Sequence, residues 1–106
     1  MTTQYIAISK YHRAPAYVND HMYFLDDLVS DIVSDEIDGV RQVIAIDLAA
    51  GSSADVTNEV ALLVAEAFRA KLDEYQGDYD APSARNFVDS TLGDGQIHIP
   101  ESRIAA

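Results

Sequence analysis

Between Asp20 and Asp38 the apolar residues fall at Leu25, Leu28, Val29, Ile32 and Val33. This i, i+3, i+4, i+7, i+8 spacing lines one face of an α-helix. Nearly every position between them is an acid or a serine. Asn19 or Asp20 is a suitable cap for the start. Gly39 suits the end, because glycine enters the left-handed region without steric cost. A second stripe, Val56, Val60, Leu63, Val64, Ala67, Phe68 and Leu72, predicts another amphipathic helix reaching about Tyr75. Ser52 would be its N-cap and Asp55, three residues on, an acidic variant of the capping box.

Two stretches alternate with period two, as half-buried strands do. In "QYIAIS" Ile6 and Ile8 share one face, and in "VRQVIAIDL" Ile44, Ile46 and Leu48 do. The isoleucine faces are expected to meet the helices. The segment "KYHRAPAYV" is read as a loop interrupted by Pro15. "QGDYDAPSARN" is read as a loop leading through Pro82 into a short third helix with Phe87, Val88 and Leu92, closed by Gly93. "DGQIHIP" predicts a turn and a last strand with Ile97 and Ile99 inward.

The order β-α-β-α-(α)-β predicts an α/β fold. It is expected to be a small two-layer sandwich whose three-stranded sheet carries two main helices on one face. If a helix links neighbouring strands one and two in parallel, that crossover should be right-handed. The opposite face would then display Tyr5, Ser9, Asp47, Gln96 and His98, as a solvated surface or as a dimer interface or partner site. At 106 residues one compact domain spanning residues 1–106 is expected, with a frayed tail over about 101–106, and roughly 65% of the unfolded chain's surface buried.

Charge changes this picture more than composition does. Hydrophobic residues make up 48% of the chain, which suits a folded protein, and cysteine is absent, which excludes a disulfide framework and a thiolate zinc site. No apolar run is long enough to span a bilayer and no cationic leader precedes one, so a cytoplasmic location is expected. The net charge of −11 disfavours direct contact with nucleic acid or anionic membranes.

That charge is concentrated. Asp20, Asp26, Asp27, Asp31, Asp35, Glu36 and Asp38 fall in the first helical segment, and Asp73, Glu74, Asp78 and Asp80 in a second segment; neither contains Lys or Arg in its span, and the remaining charges balance. Like charges four apart, as in Asp27, Asp31 and Asp35, destabilise a helix by about 0.2–0.5 kcal/mol each. Seven acids over a helix of about 27 Å give one charge per ~4 Å, close to the ~3.4 Å of a nucleic acid strand.

Signatures of chemistry are missing. Neither G-x-G-x-x-G nor a P-loop is present, His12, His21 and His98 lie in different elements, and no serine sits in a G-x-S-x-G elbow. The turn from Asp47 through Gly51, Ser52 and Ser53 into a helix has the general layout of an anion site, though simple capping explains it. No enzyme, cofactor or metal is therefore expected. In size, acidity and lack of a catalytic motif the chain resembles the small phage-encoded inhibitors of host defence, the anti-restriction and anti-CRISPR class. The resemblance is one of class and transfers no residue. It implies nucleic-acid mimicry in the host cytoplasm, with the eleven acids of the two segments facing a basic nucleic-acid-binding protein or ribonucleoprotein. The alternative is a small ligand-binding or oligomerisation domain whose acidic helix is only a solvated face.

Overall fold

The computed structural model describes residues 3–10, 13, 15–19 and 21–97. Seven elements follow one another: β1 (Thr3–Ser9), β2 (Tyr17–Val18), α1 (Leu25–Val33), β3 (Val40–Asp47), β4 (Ser52–Asp55), α2 (Thr57–Glu74) and α3 (Pro82–Leu92). The class is α/β as expected, but the sheet has four strands in the order β2-β1-β3-β4, and every neighbouring pair is antiparallel.

The first two long strands, β1 and β3, are antiparallel neighbours rather than partners in a parallel crossover, because a short strand intervenes. Within the segment read as a loop, Tyr17 and Val18 turn back on Ser9 and Ile8. The chain therefore enters α1 reversed, and β3 returns antiparallel to β1. Asn19, expected to cap the helix, instead secures this edge. Its side-chain amide donates to the Ala7 carbonyl and to the hydroxyl of fully buried Ser9, both at 2.9 Å. β4 was hidden for a different reason: "SSAD" has no apolar alternation, and pairing with β3 rather than side-chain pattern makes it a strand. Asp94 and Gly95 form the expected turn, but Gln96 and Ile97 after it are a bend rather than the start of a strand, although Ile97 is buried as expected; His98 and Ile99 lie outside the described residues.

The sheet also presents the opposite face to the one expected. Ala7, Ser9, Val40 and Val43 are the buried strand residues, and Tyr5 packs on the core beside them. Ile6, Ile8, Ile44 and Ile46 alternate with these and lie on the other face, so alternation located two faces without saying which was inner. A β-bulge between Ile8 and Ser9, which pair with Gln42 and Val40, lets both Val40 and Val43 point inward. Small residues on the inner face let the helices approach closely. Above it Leu28, Ile32, Val60, Val64, Phe68, Phe87 and Val88 form the centre of the helical layer, all almost wholly buried.

Helix α1 is half the expected length, for reasons at both ends. Before it, Tyr23 exchanges both backbone hydrogen bonds with Tyr5, at 2.8 and 2.9 Å, which holds that residue extended. After it, Asp35 adopts a left-handed conformation at φ 60°, and this residue rather than Gly39 ends the helix. The Asp35 carboxylate accepts from the amides of Ser83 at 3.3 Å and Ala84 at 2.9 Å. It thereby satisfies two of the orphan donors at the start of α3. Pro82 occupies the first turn of that helix and Gly93 follows its end, as expected.

Asp35→Ala is expected to destabilise the fold by about 1–2 kcal/mol through loss of this cap. Asp35→Asn, which keeps an acceptor and tolerates the left-handed region, should cost less than half as much. Urea denaturation of the two variants beside the parent chain measures both.

Candidate acidic interaction surface

Helices α1 and α2 run side by side in the same sense. Leu25, Asp26 and Val29 line a groove of about 420 Å³ with Leu63, Glu66, Ala67 and Ala70. At the far end Tyr79, just beyond α2, donates from its phenol to the carbonyl of Val33, the last residue of α1. The C-termini of both helices therefore share one end of the molecule. Helix α2 stops there in a Schellman arrangement, with Gln76 left-handed at φ 54° and the Gly77 amide bonded to the Leu72 carbonyl at 2.6 Å.

Tyr79 is the joint between the two acidic segments. Its ring meets Phe68 edge-on at 5.3 Å and stacks on Tyr75 at 5.8 Å. Burial raises its pKa above the ordinary phenol value, and the nearby charge of Asp35, the Tyr75 phenol and Asp80 raise it further. Tyr23 is raised likewise, first by burial and then by Asp31.

The predicted acids separate into groups by what they touch. Asp26 and Asp27 are exposed in the first turn of α1, where the helix dipole favours them. Asp31 is partly buried near that helix's end. Asp35 caps α3, and Asp80 forms a two-point pair with Arg85, at 3.0 and 3.1 Å. Asp38 is exposed at the mouth of a polar pocket that also holds Lys10 and Arg41. Glu36, Asp73, Glu74 and Asp78 are exposed at or beyond the helix ends. Asp20 lies outside the described residues. Of the expected seven-acid rod, α1 itself carries three acids over about 13.5 Å, so the charge is arranged as a surface rather than a line.

The placement is electrostatically unfavourable. A helix C-terminus carries roughly half a negative charge, and acids near it oppose the dipole by about 0.3–1 kcal/mol each at low salt. Asp73 and Glu74 occupy the last turn of α2, which has Lys71 as its basic residue, while α1 has no basic residue in its last turn. Stability alone would favour Lys or Arg at these positions.

The structure does not build the strand-turn-helix anion layout. Ser52 and Ser53 are strand residues paired with Asp47 and Ile46. The Asp47 carboxylate accepts from the amides of Ala49 and Ala50, both at 3.1 Å, and so closes the hairpin. At the start of α2 the Thr57 amide is taken by Asp55 at 2.9 Å, and the Thr57 hydroxyl donates to the same carboxylate while accepting from the Val43 amide at 3.0 Å. With Gln42 adding a third donor, hydrogen bonds from Thr57 chiefly, then Gln42, hold the Asp55 pKa below the ordinary carboxylate value. Among the described residues no three acids or histidines converge as metal ligands would. His21 is exposed and stands edge-on to Tyr23 at 6.0 Å; His12 and His98 lie outside the described residues. The groove acid Glu66 and the joint Tyr79 escaped the sequence reading, since neither belongs to a charge run or an apolar period that points to its partner across the fold.

Comparison with known proteins gave no matching family model, no similar curated protein and no similar solved structure.

Two outcomes follow from these contacts. Asp73→Asn with Glu74→Gln should raise stability by about 0.6–2 kcal/mol at low salt, with the gain shrinking as salt is added; thermal unfolding at two salt concentrations reads it. Asp55 should titrate below the usual carboxylate range by NMR, and Thr57→Val should move it back toward that range. Because its folded pKa is depressed, the Asp55 contribution to stability is present above the unfolded carboxylate pKa of about 3.9 and disappears as pH falls through the folded value.

Proposed function

We propose that this chain is a non-catalytic acidic interaction protein that occupies a basic nucleic-acid-binding surface on another protein or ribonucleoprotein. In this reading it acts as an inhibitor of host defence of the anti-CRISPR or anti-restriction class. The observation that carries the reading is the gathering of acids around the shared C-terminal end of α1 and α2, where they oppose both helix dipoles. Charge placed against the fold's own electrostatics calls for a reason outside the fold, and a cationic surface supplies one.

The contacts refine which residues serve. Asp35 and Asp80 are held in capping and ion pairing; the proposed contact set is the exposed acids of that end, Glu36, Asp73, Glu74 and Asp78, with half-buried Asp31 beside them and Asp26 and Asp27 extending it along α1. Glu66 and Asp26 also rim the apolar groove between the helices, which gives an apolar side chain of a basic partner a seat. Association would release counterions from both surfaces, so affinity falls steeply as salt rises.

The test is competition binding against purified guide-loaded effector complexes and restriction enzymes, with their nucleic acid as competitor. The triple change Asp73→Asn, Glu74→Gln and Asp78→Asn should weaken binding about 10–100-fold at low salt and flatten its salt dependence, while Asp94→Asn, in an exposed loop elsewhere, should not. Affinity and salt slope unchanged by the triple variant would exclude this surface.

A further inference from the structure

Among the described residues all three helices lie on one side of the sheet, and the other side is richer in large aliphatic residues than the side that faces the core. The cross-strand register sets Ile6 directly against Ile44, and places Ile8 beside Val18 at the edge. Ile46 continues the row. None of the four isoleucines belongs to the core cluster or packs against it, and Val18 is 56% exposed. The inner face carries Tyr5, Ala7, Ser9, Val40, Val43 and Ala45, of which only the two valines are large aliphatics. Isoleucine on a sheet face contributes to stability by leaving water, and these four are only half-buried, so part of each remains to be covered.

We infer that a second copy of this chain covers this face, so that two sheets pack back to back. Charge identifies the occupant. The strand side chains surrounding the isoleucines are uncharged at Gln4, Gln42 and Ser53, and the acid among them, Asp55, is engaged by Thr57 and Gln42. A basic partner drawn to a chain of net charge −11 would find no acidic cluster here, whereas an identical face offers matching aliphatic rows. Packing about a two-fold axis makes the contact self-complementary, and it leaves both helical layers, with their acids, on the outside. Like charge is thus kept apart by two sheet thicknesses, each sheet stacking at about 10 Å.

The size is sufficient. Strands of seven and eight residues at the centre, with ~3.4 Å per residue and ~4.8 Å between strands, give a plane footprint of roughly 340 Å² once the short outer strands are included. Side chains standing off the sheet raise the accessible area above that. Two copies therefore bury on the order of 1,000 Å² in total, the threshold for a specific interface. This inference is independent of the acidic-surface reading and involves the opposite side of the molecule.

Sedimentation equilibrium of the full chain tests it. A particle of twice the 11.6 kDa chain mass is expected at tens of micromolar, persisting or strengthening in molar salt because the contact is apolar. Ile6→Ser with Ile44→Ser removes four aliphatic side chains per dimer and should raise the dissociation constant at least ~100-fold, with circular dichroism confirming that the variant is folded. The chain has no cysteine, so Ile44→Cys alone provides a second readout that does not depend on that variant folding. A short bis-maleimide should cross-link I44C into dimers and leave Ala70→Cys, in the groove between α1 and α2, as monomer. A parent chain that is monomeric at 100 µM would overturn the inference. So would a dimer that dissociates in salt, a dimer indifferent to the serine changes, cross-linking through A70C rather than I44C, or a monomer that dimerises only when the chain is cut after Ile97.

Discussion

One carboxylate, that of Asp35, holds the helical layer in register. It ends α1 by turning left-handed and starts α3 by accepting two of that helix's free amides, so two elements nearly fifty residues apart are fixed to each other by a single side chain. The Gly39 amide, bonded to the Ser83 hydroxyl at 2.8 Å, repeats the link one turn of chain later. Tyr79 completes it from the other side by bonding the last carbonyl of α1. With these ties α2 has fixed neighbours on both flanks, and the core residues Phe68, Phe87 and Val88 meet between them.

This joint also explains why the acids at that end are not equivalent. Negative charge at Asp35 is favourable because it faces the start of a helix, and at Asp80 because it faces Arg85. The same charge at Asp73 or Glu74 faces the end of a helix and gains nothing from the fold. The acidic segments are therefore part scaffold and part surface. The scaffold acids position the surface ones by closing α1 where α2 also closes.

What the sequence disclosed follows the physics that generates each signal. The stripe from Val60 to Leu72 and the Pro82 to Gly93 frame are local codes, and α3 formed where its code placed it; α2 follows its stripe but starts at Thr57, because Ser52 to Asp55, expected as its cap, pair with β3 as a strand. β1 and β3 were legible from their alternation, but alternation is symmetric, and only the packing of helices against Ala7 and Val43 selects the inner face. β2 is two residues long, too short for any period, and β4 is polar throughout. The apolar spacing from Leu25 to Val33 coincides with α1, and only its extension back to a cap at Asn19 or Asp20 fails, because long-range pairing of Tyr23 with Tyr5 holds the residue before the helix extended. For the acidic surface, counting charge along the chain located the segments. It could not show that two members of the set face a helix start and an arginine, because those partners are chosen by the tertiary fold.

The sheet's edges are its shortest strands, two residues in β2 and four in β4, and its long isoleucine-bearing strands are both interior. A strand edge is a template onto which further strands can add without limit, and short edges offer little purchase for such growth. By keeping β1 and β3 flanked, the fold separates aliphatic content from exposed backbone. Stickiness is left to a flat face, which one partner can saturate, and withheld from the edges, along which a fibre would extend.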